Sequence, residues 1–284
     1  MVGHIKVAYQ NVCKGSDNAH TFLQWCWEEK ADIVFIGEPW RGADIGSEMF
    51  KDGTQLHDAF TLGAGERKED LVVGYWRKSI AHSVKVLQMG KKEIWIEIGG
   101  IKIAGVYRKG EEGVTDIQEW IASCEEIGKV GPRLTIGDWN AHHSSWAITP
   151  TTTNTRGRYL AEGMQHLGLQ LADGPKTPTF KRGNQESRID LVFKSMEISC
   201  SQPTVEWIQS DHSALLTKIK LQQNLPPMVT KMAVDKVGLE TYLKEIGKRK
   251  EKEQVQWLQG LPGITPYEKL LNLTKSFNSL FFYF

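Results

Sequence analysis

The chain has 284 residues, 40% hydrophobic and 24% charged, with ten tryptophans. That composition excludes a disordered or low-complexity protein and allows one large domain with a proper core, or one domain plus an extension. Net charge is +1, which excludes a general nucleic-acid-binding polycation.

The predicted elements alternate between strand and helix. Ile5, Val7 and Tyr9 alternate as in a strand. A helix follows with Phe22, Leu23, Cys26 and Trp27 on one face, with Asp17 or Asn18 as its cap. Residues 32–37 (DIVFIG) form a short buried-strand run that ends at Glu38. Residues 71–76, 83–87, 94–98 and 101–106 are four more strands, the last two joined by the hairpin signal Gly99-Gly100. Ile117, Trp120, Ile121, Cys124 and Ile127 predict an amphipathic helix over 115–127. Residues 134–137 form a strand that runs into Asp138. Tyr159, Leu160, Met164 and Leu167 predict a helix over 158–167, and residues 177–180, 189–193 and 214–219 complete the strands. Two sets of strands with helices between them predict a layered α/β (α+β) sandwich, two packed mixed β-sheets flanked by helices.

Composition shifts near residue 222. Residues 222–284 hold nine Lys/Arg and six Asp/Glu, a net +3, which leaves the body at −2. The expected boundary is therefore 1–221 for the domain and 222–284 for a linker-like tail. Run 248–252 (KRKEK) reads as a solvated helix face more readily than as a nuclear import signal. Cys13, Cys26, Cys124 and Cys200 form no CxxC pair, so neither a zinc site nor a disulfide framework is expected, and reduced intracellular thiols are the plain reading. No secretory signal is visible at the N-terminus, and no apolar run approaches the roughly 20 residues that span a bilayer.

One pattern carries chemistry. Polar residues stand at the ends of apolar strands: Asn11, Glu38, Tyr107, Asp138 and Asn140, Asp190, and Asp211-His212. Singly, each has a bland reading as a turn former. As an ordered set they closely resemble the endonuclease/exonuclease/phosphatase superfamily, with a DNase I-like fold. The carrying pieces are Gln10-Asn11, the GEP run at Glu38, the VY run at Tyr107, GDWNAHH at 137–143, SRIDLVF at 187–193 and SDHSALL at 210–216. GDWNAHHSSW at 137–146, with Arg156-Gly157, Pro178-Thr179-Phe180 and residues 187–191, is similar to the endonuclease domain of LINE-type (non-LTR) retrotransposons. The resemblance covers about residues 4–221.

The resemblance implies a metal-dependent endonuclease that nicks one strand of double-stranded DNA, leaving a 3′-hydroxyl and a 5′-phosphate, as in target-primed retrotransposition. Its implied cofactor is Mg²⁺, or Mn²⁺, a hard cation that takes oxygen ligands and keeps several waters. Glu38 is the implied main metal ligand, with Asn11 close to metal and phosphate. Asp138 and Asn140 would orient and activate water, His212 would donate to the phosphate, Asp190 would hold its imidazole, and Tyr107 would offer its hydroxyl. Asp211 would support either the metal or the loop carrying His212. Abasic-site repair enzymes carry an Asp two residues after the first Asn, and Cys13 stands there. A thiol is a poor Mg²⁺ partner, which speaks against a second metal at that point and against repair more than against nicking.

Adjacent His142 and His143 have no partner at zinc-ligand spacing, so a loop or DNA-facing role is expected. Trp40, beside Glu38, is a candidate to stack on a base. No reverse transcriptase motif is visible, and the tail is similar to the start of a linker toward one, so a truncated element is expected. A nuclear location follows only from the implied function. The alternatives are another phosphoesterase of the same fold and a non-catalytic DNA-binding relic.

Overall fold

The computed structural model describes residues 2–41, 55–128, 131–148, 153–172 and 176–225. The chain divides into two units, Met1–Met228 and Val229–Phe284. The expected tail lies outside the described residues except for 222–225.

Two six-stranded sheets face each other. The first has the order β13-β14-β1-β2-β4-β3, built from β1 (Val2–Asn11), β2 (Ile33–Gly37), β3 (Phe60–Ala64), β4 (Val72–Arg77), β13 (Thr204–Glu206) and β14 (Ala214–Leu225). The second has the order β5-β6-β7-β8-β12-β9, built from β5 (Lys85–Met89), β6 (Glu93–Ile98), β7 (Ile101–Tyr107), β8 (Arg133–Asp138), β9 (Leu169–Leu171) and β12 (Asp190–Ser195). A separate hairpin joins β10 (Phe180–Arg182) to β11 (Gln185–Ser187). Each large sheet holds one parallel pair, β1 with β2 and β7 with β8; the remaining pairings are antiparallel, so the sheets are mixed, as expected.

Strand alternation explains the layers. Ile5, Val7, Tyr9, Ile33 and Phe35 of the first sheet meet Ile94, Ile96, Ile103, Leu134, Ile136 and Val192 of the second in one central core. The intervening Ala8, Val34 and Ile36 face outward onto Phe22, Leu23 and Cys26 of α1 (Ser16–Glu28). On the other side, Trp95, Ala104 and Val106 meet Ile117, Trp120 and Cys124 of α3 (Thr115–Gly128) and Leu160 and Met164 of α4 (Thr155–His166). Strands buried on both faces read as continuous apolar runs, which is why DIVFIG shows no alternation. A short helix α2 (Gln55–Ala59) precedes β3.

The differences from the predicted elements are local. Neither Asp17 nor Asn18 caps α1; Gly15 holds that position with no side-chain cap, and Asn18 instead donates to the Val12 carbonyl. Helix α4 starts three residues early because the Asn154 side chain accepts from Gly157 N and caps it. The strand predicted at 83–87 is shifted to β5, behind a 3₁₀ turn at Ala81–Ser83. The strand predicted at 177–180 is the entry to the β10–β11 hairpin, which the prediction missed along with β3, β9 and β13. These strands are short or sit at sheet edges, where a period-two pattern is brief. Strand β14 runs past residue 221 to Leu225, which pairs with Val2. None of the four cysteines forms a disulfide.

Candidate active site

The polar residues singled out in the sequence converge at one end of the sandwich. Asn11, Tyr107 and Asp138 close β1, β7 and β8, Asp190 opens β12, and Glu38 follows β2. Asp211 and His212 lie in the turn before β14. Bonds within the first sheet and between the two sheets hold this end together. Asn11 Nδ2 donates to Asp138 Oδ2 at 3.1 Å and to Glu38 Oε1 at 3.4 Å. The Tyr107 hydroxyl donates to Glu38 Oε1. His212 Nδ1 lies 2.9 Å from Asp190 Oδ2 and 3.1 Å from Oδ1. Asp190 opens β12 of the second sheet and His212 lies in the turn before β14 of the first, so the pair meets across the sandwich.

Local sequence places each group. Asp138 needs β8 to lie against β7, and Gly137 permits it: a Cβ there would come within 2.0 Å of the Val106 carbonyl oxygen. Trp139 and Trp146 bury their rings against Phe193, at 5.9 and 6.1 Å between centroids, and so anchor both ends of the GDWNAHHSSW loop. Gly157 sits where a Cβ would meet the His142 carbonyl oxygen at 1.8 Å, so α4 closes onto that loop. Glu38 and Asn140 adopt left-handed backbone, with φ of +43° and +46°, a strain held in place by its surroundings. For Asn140 these are Asp138, which accepts from its backbone and side-chain nitrogens at 3.0 and 3.2 Å, and the Arg108 carbonyl, which accepts from Nδ2 at 2.8 Å.

Behind the loop lies a buried ionic network that the sequence did not reveal. Arg108 pairs with Glu93 and Asp116, and Lys92 with Asp116. Arg156, flagged only as part of an Arg-Gly pair, donates to the carbonyls of Asn140 at 3.2 Å and Trp139 at 3.3 Å. Thr179, flagged only within a Pro-Thr-Phe run, accepts from the backbone nitrogens of Ile189 and Asp190 at 3.1 and 2.9 Å. It fixes where Asp190 begins its strand. Gln10 donates to the His212 carbonyl at 2.8 Å, and the Phe180 ring lies 4.9 Å from the imidazole. Residues that act through backbone bonds leave no compositional signal.

The electrostatics are strong because the groups are dry. Burial first, and then the nearby Asp190 carboxylate, push Asp138 up to about 7, although His212 and the Asn11 amide pull the other way. Burial pulls His212 down, but the Asp190 carboxylate, with Asp138 and Asp211 adding, outweighs it and raises the imidazole to about 9. His212 Nε2 lies 3.9 Å from Asp138 Oδ2. Burial, and then the bond to Glu38, raise Tyr107, so its phenol stays neutral and can donate. Asp211 is lowered despite burial, because Cys13, His212 and Arg182 favour its charged form.

The expected metal ligands separate. Glu38 presents a half-buried carboxylate with Asn11 and Tyr107 on one oxygen and Lys14 at 3.9 Å from the other. This oxygen-rich surrounding, with Asp138 one amide away, suits a hard cation. The Asn11 amide oxygen accepts from Cys13 N at 2.9 Å, so Asn11 turns its donor side to the carboxylates. Asp211 binds the Cys13 thiol and Arg182, the latter at 2.8 Å. His142 and His143 join no metal-ligating group among the described residues. They line a cleft of about 560 Å³ between their loop and the β10–β11 hairpin, open to Asn140 and His212. Trp40, 41% exposed, lines a second cleft that borders Glu38, with Lys14, Lys68, Lys91 and Lys109.

The two-sheet sandwich flanked by helices is a DNase I-like fold. Residues 101–216 match the family model described as endonuclease-reverse transcriptase, a span holding Tyr107, Asp138, Asn140, Asp190, Asp211 and His212. No curated protein sequence matches the chain. The endonuclease domain of TRAS1, a telomere-specific non-LTR retrotransposon, aligns at a TM-score of 0.62 and 20% identity, covering 77% of this chain and 100% of its own. A 3′ phosphatase from Neisseria, solved with a product DNA hairpin, aligns at 0.59 and 15% identity over 76% of this chain and 99% of its own. An AP endonuclease from Archaeoglobus fulgidus aligns at 0.56 and 15% identity over 75% and 98%. Residues 101–216 thus resemble the endonuclease-reverse transcriptase family, and the fold is that of endonucleases and phosphatases of the DNase I-like type.

Proposed function

We propose that this protein is a divalent-metal-dependent endonuclease that nicks one strand of double-stranded DNA and leaves a 3′-hydroxyl and a 5′-phosphate. The supporting observation is the buried relay from Asp190 to His212 at 2.9 Å, whose outer nitrogen faces Asp138 at 3.9 Å. The relay pairs a charged donor with a carboxylate poised near neutrality, a combination suited to acid–base work at one phosphate.

Glu38 would hold Mg²⁺, or Mn²⁺. The bound cation would neutralise the phosphate and stabilise the leaving oxygen. Asp138, its oxygens fixed by Asn140 and Asn11, takes the proton of the attacking water. Asn140 orients that water, and its left-handed backbone aims the amide. His212, protonated because of Asp190, donates through Nε2 to the phosphate oxygen where charge accumulates. Tyr107 and the Asn11 amide add neutral donors beside it. DNA would lie over the two clefts, with Arg188, His142 and His143 on one side and the lysines beside Glu38 on the other. The 3′-hydroxyl so produced is the end that target-primed reverse transcription extends, which also implies work in the nucleus.

A supercoiled plasmid tests the reading. Relaxed circles that form with Mg²⁺ and not with chelator support it. A mobility shift without nicking would favour a DNA-binding relic, and phosphate release from a small ester without nicking would favour another phosphoesterase.

A further inference from the structure

Cys13 lies in the turn after β1, and the proposed reaction gives it no task. Its backbone is left-handed at φ +49°, and so is that of Lys14 at +59°. Three bonds pin the turn: Cys13 N to Asn11 Oδ1, Lys14 N to the Glu38 carbonyl and Gly15 N to the Val12 carbonyl, each 2.9 Å. The pinned turn aims the thiol at Asp211 Oδ1, to which it donates at 2.6 Å. The Cys13 sulfur, an Asp211 oxygen and a ring nitrogen of His212 all lie within 4.8 Å of one another. Cys13 and Asp211 are half-buried, so ions can reach them, while His212 is buried behind.

One sulfur, one oxygen and one nitrogen make a donor set that Mg²⁺ does not favour and that zinc-class cations do. Tetrahedral zinc sets such atoms about 3.3–3.6 Å apart, so the thiol and carboxylate need only part by roughly 1 Å. Arg182 occupies Asp211 Oδ2 and leaves Oδ1 for a cation. Asp190 occupies His212 Nδ1 and leaves Nε2, the carboxylate–histidine–metal arrangement that fixes a ligand ring.

We propose that Cys13, Asp211 and His212 form a binding site for a thiophilic divalent cation of the zinc class, and that its occupation switches the enzyme off by removing His212 from the phosphate. On binding, metal bonds replace the Cys13 sulfur–hydrogen bond and the His212 Nε2–hydrogen bond, both protons leave to solvent while Nδ1 keeps its hydrogen toward Asp190, and water fills the fourth position; nothing is oxidised or reduced. The switching half rests on the proposed endonuclease reading; the cation site does not.

The test uses the full chain and Co²⁺, whose thiolate complexes absorb strongly in the near ultraviolet. The wild-type chain is expected to develop that band, Zn²⁺ to bleach it, Cys13→Ser and Cys13→Ala to lose it, and Asp211→Asn to weaken cobalt binding by about tenfold or more. Near-ultraviolet circular dichroism without metal checks that each variant is folded. No band in the wild type, or a band that survives both Cys13 changes, overturns the site. In Mg²⁺, Zn²⁺ should inhibit wild-type nicking, and Cys13→Ser should resist about tenfold more Zn²⁺; equal inhibition of both overturns the switch. A chain that gives the cobalt band but nicks no DNA in Mg²⁺ refutes the endonuclease reading and leaves the cation site standing.

Discussion

Asp190→Asn isolates the relay. The carboxylate holds His212 Nδ1 at 2.9 Å and is the largest influence that raises the imidazole to about 9. Without it, burial still lowers the imidazole, while Asp138, 3.9 Å from Nε2, and Asp211 still raise it. These offset, and His212 should return near its ordinary value of about 6.5. At pH 7.5 the protonated fraction then falls from nearly all to about one-tenth, so protonation alone costs about tenfold in rate. The alkaline limb of the rate profile should move from about pH 9 to about pH 6.5. Loss of the orienting bond costs more at every pH. His212→Ala should remove most of the nicking rate, and the double variant should be hardly slower, because groups acting as one unit are not additive. Plasmid nicking in saturating Mg²⁺ from pH 6 to 10 measures all three variants. Losses that simply multiply, or an unmoved alkaline limb, would refute the relay and leave Asp190 as scaffold.

The same charges act on stability. Asp138 is raised to about 7 in the fold from roughly 4 unfolded, so its burial costs stability progressively as pH rises between those values. Asp138→Asn should therefore stabilise the metal-free protein at pH 7.5 by about 1–3 kcal/mol while abolishing nicking, and urea unfolding that shows destabilisation there would contradict the assignment. His212 has the same sign in a higher window: its raised value stabilises the fold fully below about pH 6.5, and that share is lost as pH rises through about 9, which unfolding of the wild type and Asp190→Asn across pH 6–10 should separate. Glu38→Gln should weaken Mg²⁺ binding and activity together, since the amide keeps shape without charge; unchanged activity at saturating Mg²⁺ would remove Glu38 as the ligand. Thr179→Val leaves the backbone nitrogens of Ile189 and Asp190 without their acceptor and should cost about 1–3 kcal/mol with a drop in kcat, where an unchanged kcat would limit Thr179 to scaffolding. Limited proteolysis should yield a stable fragment ending shortly after Leu225, the last residue of β14; a protected full-length chain would argue against a separable tail.

The sequence by itself determined the strand ends and the types of residue that occupy them. Apolar runs such as DIVFIG and LTIG leave a strand no register but a buried one, and Glu38 and Asp138 follow them at once, so their place at one rim was legible. The helices at α1, α3 and α4 were legible through spacing on one face. What the sequence did not determine is which rim residues meet. Asp190 and His212 stand 22 positions apart, Asn11 and Asp138 127 apart, and each pair is joined only because the two sheets stack face to face. Stacking also decided the charge states, since burial is the largest single influence on Asp138 and on His212. It separated the expected ligands too, giving the Asn11 oxygen to a backbone nitrogen and Asp211 to Cys13 and Arg182. Periodicity reports which face of an element is apolar; what lies across that face, and therefore every distance and proton affinity in the site, is a property of the packed chain.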